Sequence, residues 1–426
     1  MQQLFIMPER VILSRRDFLK KSALAGGVLL IGTRSSDSTQ EGPMTLSKAV
    51  GSDGLDLVQW EARNGPSRLM QLFWERFQPP PARRVELVQS YFASNPRPLV
   101  LERKVERIMT GHINEAFEEA GIYSKMLKTF KFIPPPKSIA ISYKREIGVI
   151  GQMPLRFGIT LAEIEALEDR VEKLLPGVSA LVFDCNGWAT FPPGVIRGLS
   201  RRRSYKTAAH EITHYLLGLT PVGLPHTLSF FGLPRNNQIA TINETTANMM
   251  GQEIGQAIED RYYREDQPII KQMAYIEIPK APTLDHDKVL KETAISVSWY
   301  LEQGLIDKAE MLMDKMRKEL NAAGFPFRKL NQAYFAIYGI YADGPASIDP
   351  IGANLRKLRE GLTMGEFFRI VSNITSSNEL EKKLQKAAWH KEEVKNFPNG
   401  LQFLIYMNYN MRRGVVAQLA RASHLH

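Results

Sequence analysis

The stretch Thr207-Ala208-Ala209-His210-Glu211-Ile212-Thr213-His214-Tyr215-Leu216-Leu217 sets two histidines four residues apart, with a glutamate directly after the first. Read as a helix, which advances about 100° per residue, it stacks His210 and His214 on one face, where two imidazoles can share one metal ion. Neutral imidazole suits zinc, and Glu211 lies beside that face, near enough to take a proton from a water held by the metal. The pattern therefore predicts His210 and His214 as Zn2+ ligands and Glu211 as a general base. Ala208, Ile212, Leu216 and Leu219 fall on the opposite side and predict an apolar stripe facing a core, which turns the histidines toward a cleft. Gly218 is the expected helix stop. Two histidines and a glutamate also occur as an ordinary polar stripe on a surface helix, so the reading needs a third ligand.

That ligand is expected on a second helix, Thr241 to Gly255, where Glu244, Ala247, Asn248, Gly251 and Gly255 project from one side. Their small size predicts close approach of another helix. Asn248 is the expected partner for the far ring nitrogen of a ligand histidine. His226, in the Pro- and Gly-containing connection from Thr220 to Ala240, is a rival third ligand. Tyr334, Tyr338 and Tyr341 recur at helical spacing, which is ordinary core spacing. Tyr334 is singled out among them as a hydroxyl donor to a developing oxyanion.

The elements that must position these residues follow from pattern. Leu55 to Ile122 reads as packing helices, broken by Pro79-Pro80-Pro81 and ended by Gly121, with Val105, Ile108, Ile113 and Phe117 as core positions. Phe130 to Ile133 and Ser138 to Tyr143 read as short strands. Thr160 and Glu163 form a capping box for a helix to about Leu175, stopped by Pro176-Gly177. Val178 to Phe183 is an expected buried strand. Trp188-Ala189-Thr190-Phe191 is an expected edge strand just upstream of the metal helix, where an extended peptide could pair. The basic cluster Arg197, Arg201-Arg202-Arg203 and Lys206 reads as a solvated loop, with selection of acidic substrates or approach to lipid head groups as the alternative. Further on, Lys288 to Gln303, Gly304, and Ile306 to Ala322 predict an αα-hairpin, and Asp349-Pro350 a helix start.

With 426 residues and 44% hydrophobic content, the chain can bury a sizeable core. Residues 1–34 carry six basic and two acidic side chains and residues 401–426 carry three arginines, so the ends supply +7 of the formal +10. The nearly balanced middle, with no aromatic-interleaved basic patch, argues against nucleic acid as a partner. One cysteine, Cys185, excludes an intramolecular disulfide. Ser14-Arg15-Arg16-Asp17-Phe18-Leu19-Lys20-Lys21, followed by twelve uncharged residues from Ser22 to Thr33, resembles a twin-arginine export signal. The apolar run is shorter than the roughly 20 residues that span a bilayer, and no cysteine for lipid attachment follows it. Without a clean Ala-x-Ala site, both removal and retention as a membrane anchor stay open. The expected organisation is a signal or anchor over 1–34, a flexible linker over 35–52, a catalytic domain over 53–395 that is mixed to about 220 and helical after, and a disordered tail over 396–426. Within that tail, Met411 to Ser423 resembles peptides translated across transfer-RNA genes. The expected location is periplasmic or otherwise outside the cytoplasm.

His-Glu-x-x-His followed by Asn243-Glu244 on a second helix resembles the gluzincin superfamily of metallopeptidases. The resemblance implies Glu244 as third zinc ligand; Asn248 stands where members often carry an acid. The wider run through Ser179-Ala180-Leu181-Val182, Thr190-Phe191-Pro192 and Lys329-Leu330-Asn331-Gln332-Ala333-Tyr334 resembles an uncharacterised group of envelope-associated bacterial zinc peptidases over about residues 55 to 385. The Gly-x-Met-Glu-Asn motif of the aminopeptidase branch is absent, and Leu217 and Thr220 stand where a metzincin has a glycine and a third histidine. The expected fold is α+β and zincin-like: a small sheet with an edge strand over an active-site helix, then a mainly helical half. The expected activity is zinc-dependent hydrolysis of a peptide or protein substrate. The alternative is a non-catalytic metal-binding envelope protein with a structural or vestigial zinc site.

Overall fold

A computed structural model describes residues 45–396 except 58, 61, 64, 66–69, 71–83, 125–127, 189, 191, 230–234, 265–283 and 343. The twin-arginine segment, residues 35–44 of the expected linker, Pro79-Pro80-Pro81, Ala189, Phe191 and the tail after Asn396 lie outside the described residues.

The strand Lys137–Tyr143 (β2) is flanked in an antiparallel sheet by Gly151–Pro154 (β3) and Val178–Asp184 (β4), with Ile139 opposite Met153 on one side and Val182 on the other. Its apolar run is nearly continuous because both faces are covered. Ile139, Ile141, Ala180 and Val182 pack with helix α4 (Leu161–Leu174) and with α1 (Leu46–Val50). Ala140 and Leu181 instead meet Ala333, Ala336 and Ile337 of a later helix, Gln332–Gly339. The Thr160–Glu163 capping box starts α4, and Gly177, at φ +82°, turns the chain after it into β4.

The helix α1 corrects the expected linker. Ala49 and Val50 are buried, and Arg170 donates to both of their carbonyls while pairing with Asp53. Polar composition conceals a segment held by its backbone.

The second sheet has the order β1 (Lys131–Ile133), β6 (Gly194–Ile196), β5 (Gly187–Trp188), with β1 parallel and β5 antiparallel to β6. Among the described residues β5 ends this sheet, but of the expected edge strand Trp188 to Phe191 it includes only Trp188, and Thr190 lies outside any strand. Helices α2 (Val85–Ala93) and α3 (Leu99–Glu119) precede it, and helix α5 (Arg201–Leu217) follows. The main core joins Ile108, Ile113 and Phe117 of α3 to Ala208, Ile212 and Leu216 of α5 and to Ile254 and Ile258 of a long helix, Asn237–Tyr262. Leu219 is 74% exposed, contrary to the expected stripe, because α5 ends before it at Gly218.

Helix α5 also starts earlier than expected, capped by the Ser200 hydroxyl, which accepts from the Arg203 amide. The basic cluster is therefore no solvated loop. Arg201 grips the buried Glu259 at 3.1 and 2.9 Å, and Arg197 grips Glu102 at 2.8 and 3.0 Å. Arg202 donates to Gln256 and Lys206 to Gln252, both on the long helix.

After α5 come a short helix α6 (Gly223–Ser229) and the long helix α7 (Asn237–Tyr262). The expected αα-hairpin is present as α8 (His286–Glu302) and α9 (Ile306–Ala322), with Gly304 at φ +72° in the turn. Then follow α10 (Gln332–Gly339), α11 (Ile351–Arg359), α12 (Met364–Val371) and α13 (Ser377–Asn396). Asp349 accepts from the Ile351 amide at the start of α11. The architecture is α+β, with small sheets and a mainly helical second half. Among the described residues no helix is long and apolar enough to cross a membrane.

Candidate metal centre

Helices α5 and α7 pack backbone against backbone. A Cβ on Gly251 would stand 2.7 Å from the Lys206 carbonyl oxygen and 3.0 Å from His210 Cβ. One on Gly255 would come within 3.1 Å of Lys206 Cα. The small residues of α7 are thus the means by which a carboxylate on one helix reaches imidazoles on the other.

His210 Nε2 and His214 Nε2 lie 2.9 Å apart, and Glu244 Oε2 is 3.6 and 3.2 Å from them. Donors held about 2.0–2.1 Å from a tetrahedral zinc stand about 3.3 Å from one another, and the three spacings bracket that value. Protonation agrees with a metal. Asn243 Oδ1 accepts from His214 Nδ1 at 2.6 Å, which leaves His214 Nε2 as the nitrogen that can bind a metal once it gives up its proton. Among the described residues, Glu244 Oε2 is buried with no partner in hydrogen-bond geometry. Lone pairs that converge out of water repel one another unless a proton or a metal ion lies between them. Two imidazoles and one carboxylate are a zinc donor set, so His210, His214 and Glu244 fit the expected ion.

The partner expected in Asn248 is, for His214, Asn243 instead. It lies directly before Glu244, so one turn of α7 supplies both a ligand and the group that orients another.

His226 is not on a loop but on α6, buried, with its ring stacked 5.5 Å from that of His214. Its Nε2 lies 3.4 Å from Glu244 Oε1, the oxygen turned away from His210 and His214. Burial pushes the His226 imidazole down to about 3, so it stays neutral and can donate Nε2–H to that oxygen. For Glu244, burial raises the pKa, but His214, His210 and His226 together hold it well below the usual range. For His214, burial acts downward and is outweighed by Glu244 and Glu211, which lift it to about 9.

Glu211 is 7% exposed, and burial raises its pKa. It lies against the edge strand: a Cβ on Gly187 would be 2.5 Å from Glu211 Oε1. Glycine at that position of β5 is what admits the carboxylate.

Tyr334 is not brought to this cluster. Its ring packs on Tyr338 at 4.6 Å and Phe327 at 5.6 Å, among core residues. The tyrosine at the site is Tyr341, whose ring is 6.3 Å from His210 and whose hydroxyl is pushed well above its ordinary value by Glu244, then by burial and Glu211. Tyr341 shares the helical spacing of Tyr334 and Tyr338 but follows the end of α10, so periodicity cannot separate it from them. The residues around Tyr334 join α10 to the first sheet. Asn331 caps α10 and donates to Ala180 of β4, and the Ala333 amide donates to Ser179.

No protein-family model, curated protein or solved structure matches this chain.

Proposed function

We propose that this chain is a zinc metallopeptidase of gluzincin type, with a zincin-like fold and with His210, His214 and Glu244 as the zinc ligands. The observation that carries this reading is Glu211, a buried carboxylate beside two converging imidazoles and against an edge strand. A structural zinc site closes on four protein ligands, whereas three suit a site with an open position. His226 backs Glu244 instead of completing a fourth position.

When bound, zinc would polarise the scissile carbonyl and lower the pKa of a water. Glu211 then takes the proton of the attacking water and delivers it to the leaving amine, a role suited to a carboxyl whose pKa burial has raised. Tyr341 donates its hydroxyl to the carbonyl oxygen as negative charge develops there. Strand β5, which ends its sheet among the described residues, would pair with an extended peptide backbone.

The deciding experiment is Glu211→Gln. It should retain one zinc per chain and the folded state while abolishing peptide hydrolysis. Undiminished hydrolysis would refute the assignment, and a wild-type protein that binds zinc but cleaves no peptide would favour a structural site. The twin-arginine segment supports export, with a peptide or protein substrate outside the cytoplasm. Replacing Arg15 and Arg16 by lysine should leave the precursor inside the cell.

A further inference from the structure

Arg235 directly precedes the Asn236 cap of α7, and its guanidinium interacts electrostatically with Glu244 and His226 of the metal centre. Its Nη1 donates to Gln152 of β3 at 3.1 Å. Its Nε and Nη2 are shielded from solvent and have no hydrogen-bond partner among the described residues. A buried guanidinium with two unmet N–H groups is costly to leave alone, because both groups have given up their hydration.

Those two nitrogens form the edge with which a guanidinium binds a carboxylate through two parallel hydrogen bonds. The chain itself uses that edge repeatedly: Arg197 presents Nε and Nη2 to Glu102, Arg201 to Glu259, and Arg359 to Glu253. Arg235 presents the same edge to nothing among the described residues. Glu244 does not fill it, since its Oε2 faces His210 and His214 and its Oε1 faces His226. The charges agree. A divalent ion would balance Glu244 and Glu211, leaving the Arg235 charge to be met by an incoming anion.

We infer that Arg235 binds a carboxylate of the substrate, so that the site selects peptides carrying a carboxylate close to the bond that is cut. This rests on the reading of the centre as a peptide-hydrolysing site. The carboxylate could be the α-carboxylate of a chain end or an aspartate or glutamate side chain; the chemistry at Arg235 is the same.

The test uses zinc-loaded Glu211→Gln protein, in which binding can be measured without turnover. Three probes are titrated by calorimetry: an N-acetylated neutral tripeptide with a free α-carboxylate, its C-terminal amide, and an amide with one glutamate. At least one carboxylate probe should bind about tenfold or more tightly than the plain amide, and which one does so identifies the source. Adding Arg235→Gln should abolish the difference, and Arg235→Lys should reduce it several-fold, because an ammonium cannot make the paired bonds. Equal binding of all three probes overturns the inference, as does no binding by any. Discrimination left undiminished by either Arg235 change at full zinc content also overturns it, whichever variant folds, since zinc alone would then be taking the carboxylate. Wild-type hydrolysis is assayed separately. Retained discrimination without hydrolysis would refute the peptidase reading and leave Arg235 as a carboxylate site, whereas hydrolysis without discrimination would do the reverse.

Discussion

Thr245 holds the backbone on both sides of Tyr341: its hydroxyl accepts from the Ala342 amide at 3.0 Å and faces the Ile340 carbonyl at 3.3 Å. Because Thr245 directly follows Glu244, the ligand and the proposed oxyanion donor are carried by one turn of α7. Tyr341→Phe should therefore lower kcat about 10²- to 10³-fold with zinc content unchanged, as measured by steady-state hydrolysis and metal analysis. Thr245→Val should lower kcat less. Tyr334→Phe should leave kcat near wild type; if Tyr334→Phe removed activity and Tyr341→Phe did not, the oxyanion donor would be Tyr334.

Replacement of Gly251 tests the helix contact. Leucine there must displace the Lys206 carbonyl and His210, and the shift needed exceeds the few tenths of an ångström that a metal–ligand bond tolerates. Zinc affinity should fall sharply while helix content by circular dichroism stays near wild type. Full zinc affinity in Gly251→Leu would mean that the helix spacing does not set the ligand geometry.

Groups behind the ligands should matter less than the ligands. Asn243→Leu frees the His214 ring and His226→Ala removes a donor to Glu244 Oε1, so each should weaken zinc about 10- to 100-fold in competition with a chelator. Glu244→Ala should weaken it more than either. The opposite ranking of His226 and Glu244 would make the histidine the third ligand.

In the metal-free protein His214 titrates at about 9 against an ordinary 6.5. A raised folded-state pKa gives stability that is full below 6.5 and lost as pH rises through 9. Zinc must displace that proton, so its uptake at pH 7 should release about one proton per site, measured by calorimetry in buffers of different ionisation enthalpy. The Tm gap between zinc-loaded and metal-free protein should widen from pH 6.5 to 9. A constant gap would mean that His214 is already deprotonated.

The local elements are legible in the sequence where one signal dominates. The capping box of Thr160 and Glu163, the buried strand after Gly177 and the turn at Gly304 each follow from a residue with one conformational use. His210, His214 and Glu244 are legible because helical spacing fixes the first two and the small residues around the third mark its helix face. What the sequence hides depends on contacts distant in the chain. Arg201 reads as a loop residue unless Glu259 is known to stand opposite it, and residues 45–53 read as linker unless Arg170 is known to bind their carbonyls. His226, Tyr341 and Arg235 reach the site only through the placement of α6, α10 and α7. No local spacing records that placement.

The approach of α5 and α7 at Gly251 and Gly255 has a kinetic consequence. Where side chains separate two helices, rotamer exchange lets the gap breathe; where main chains touch, the gap is fixed by bond lengths and hydrogen-bonded turns. The metal-free protein should then offer its three donors as a ready-made chelate. Zinc uptake should follow a single bimolecular phase, with a rate proportional to metal concentration and no slower rearrangement behind it.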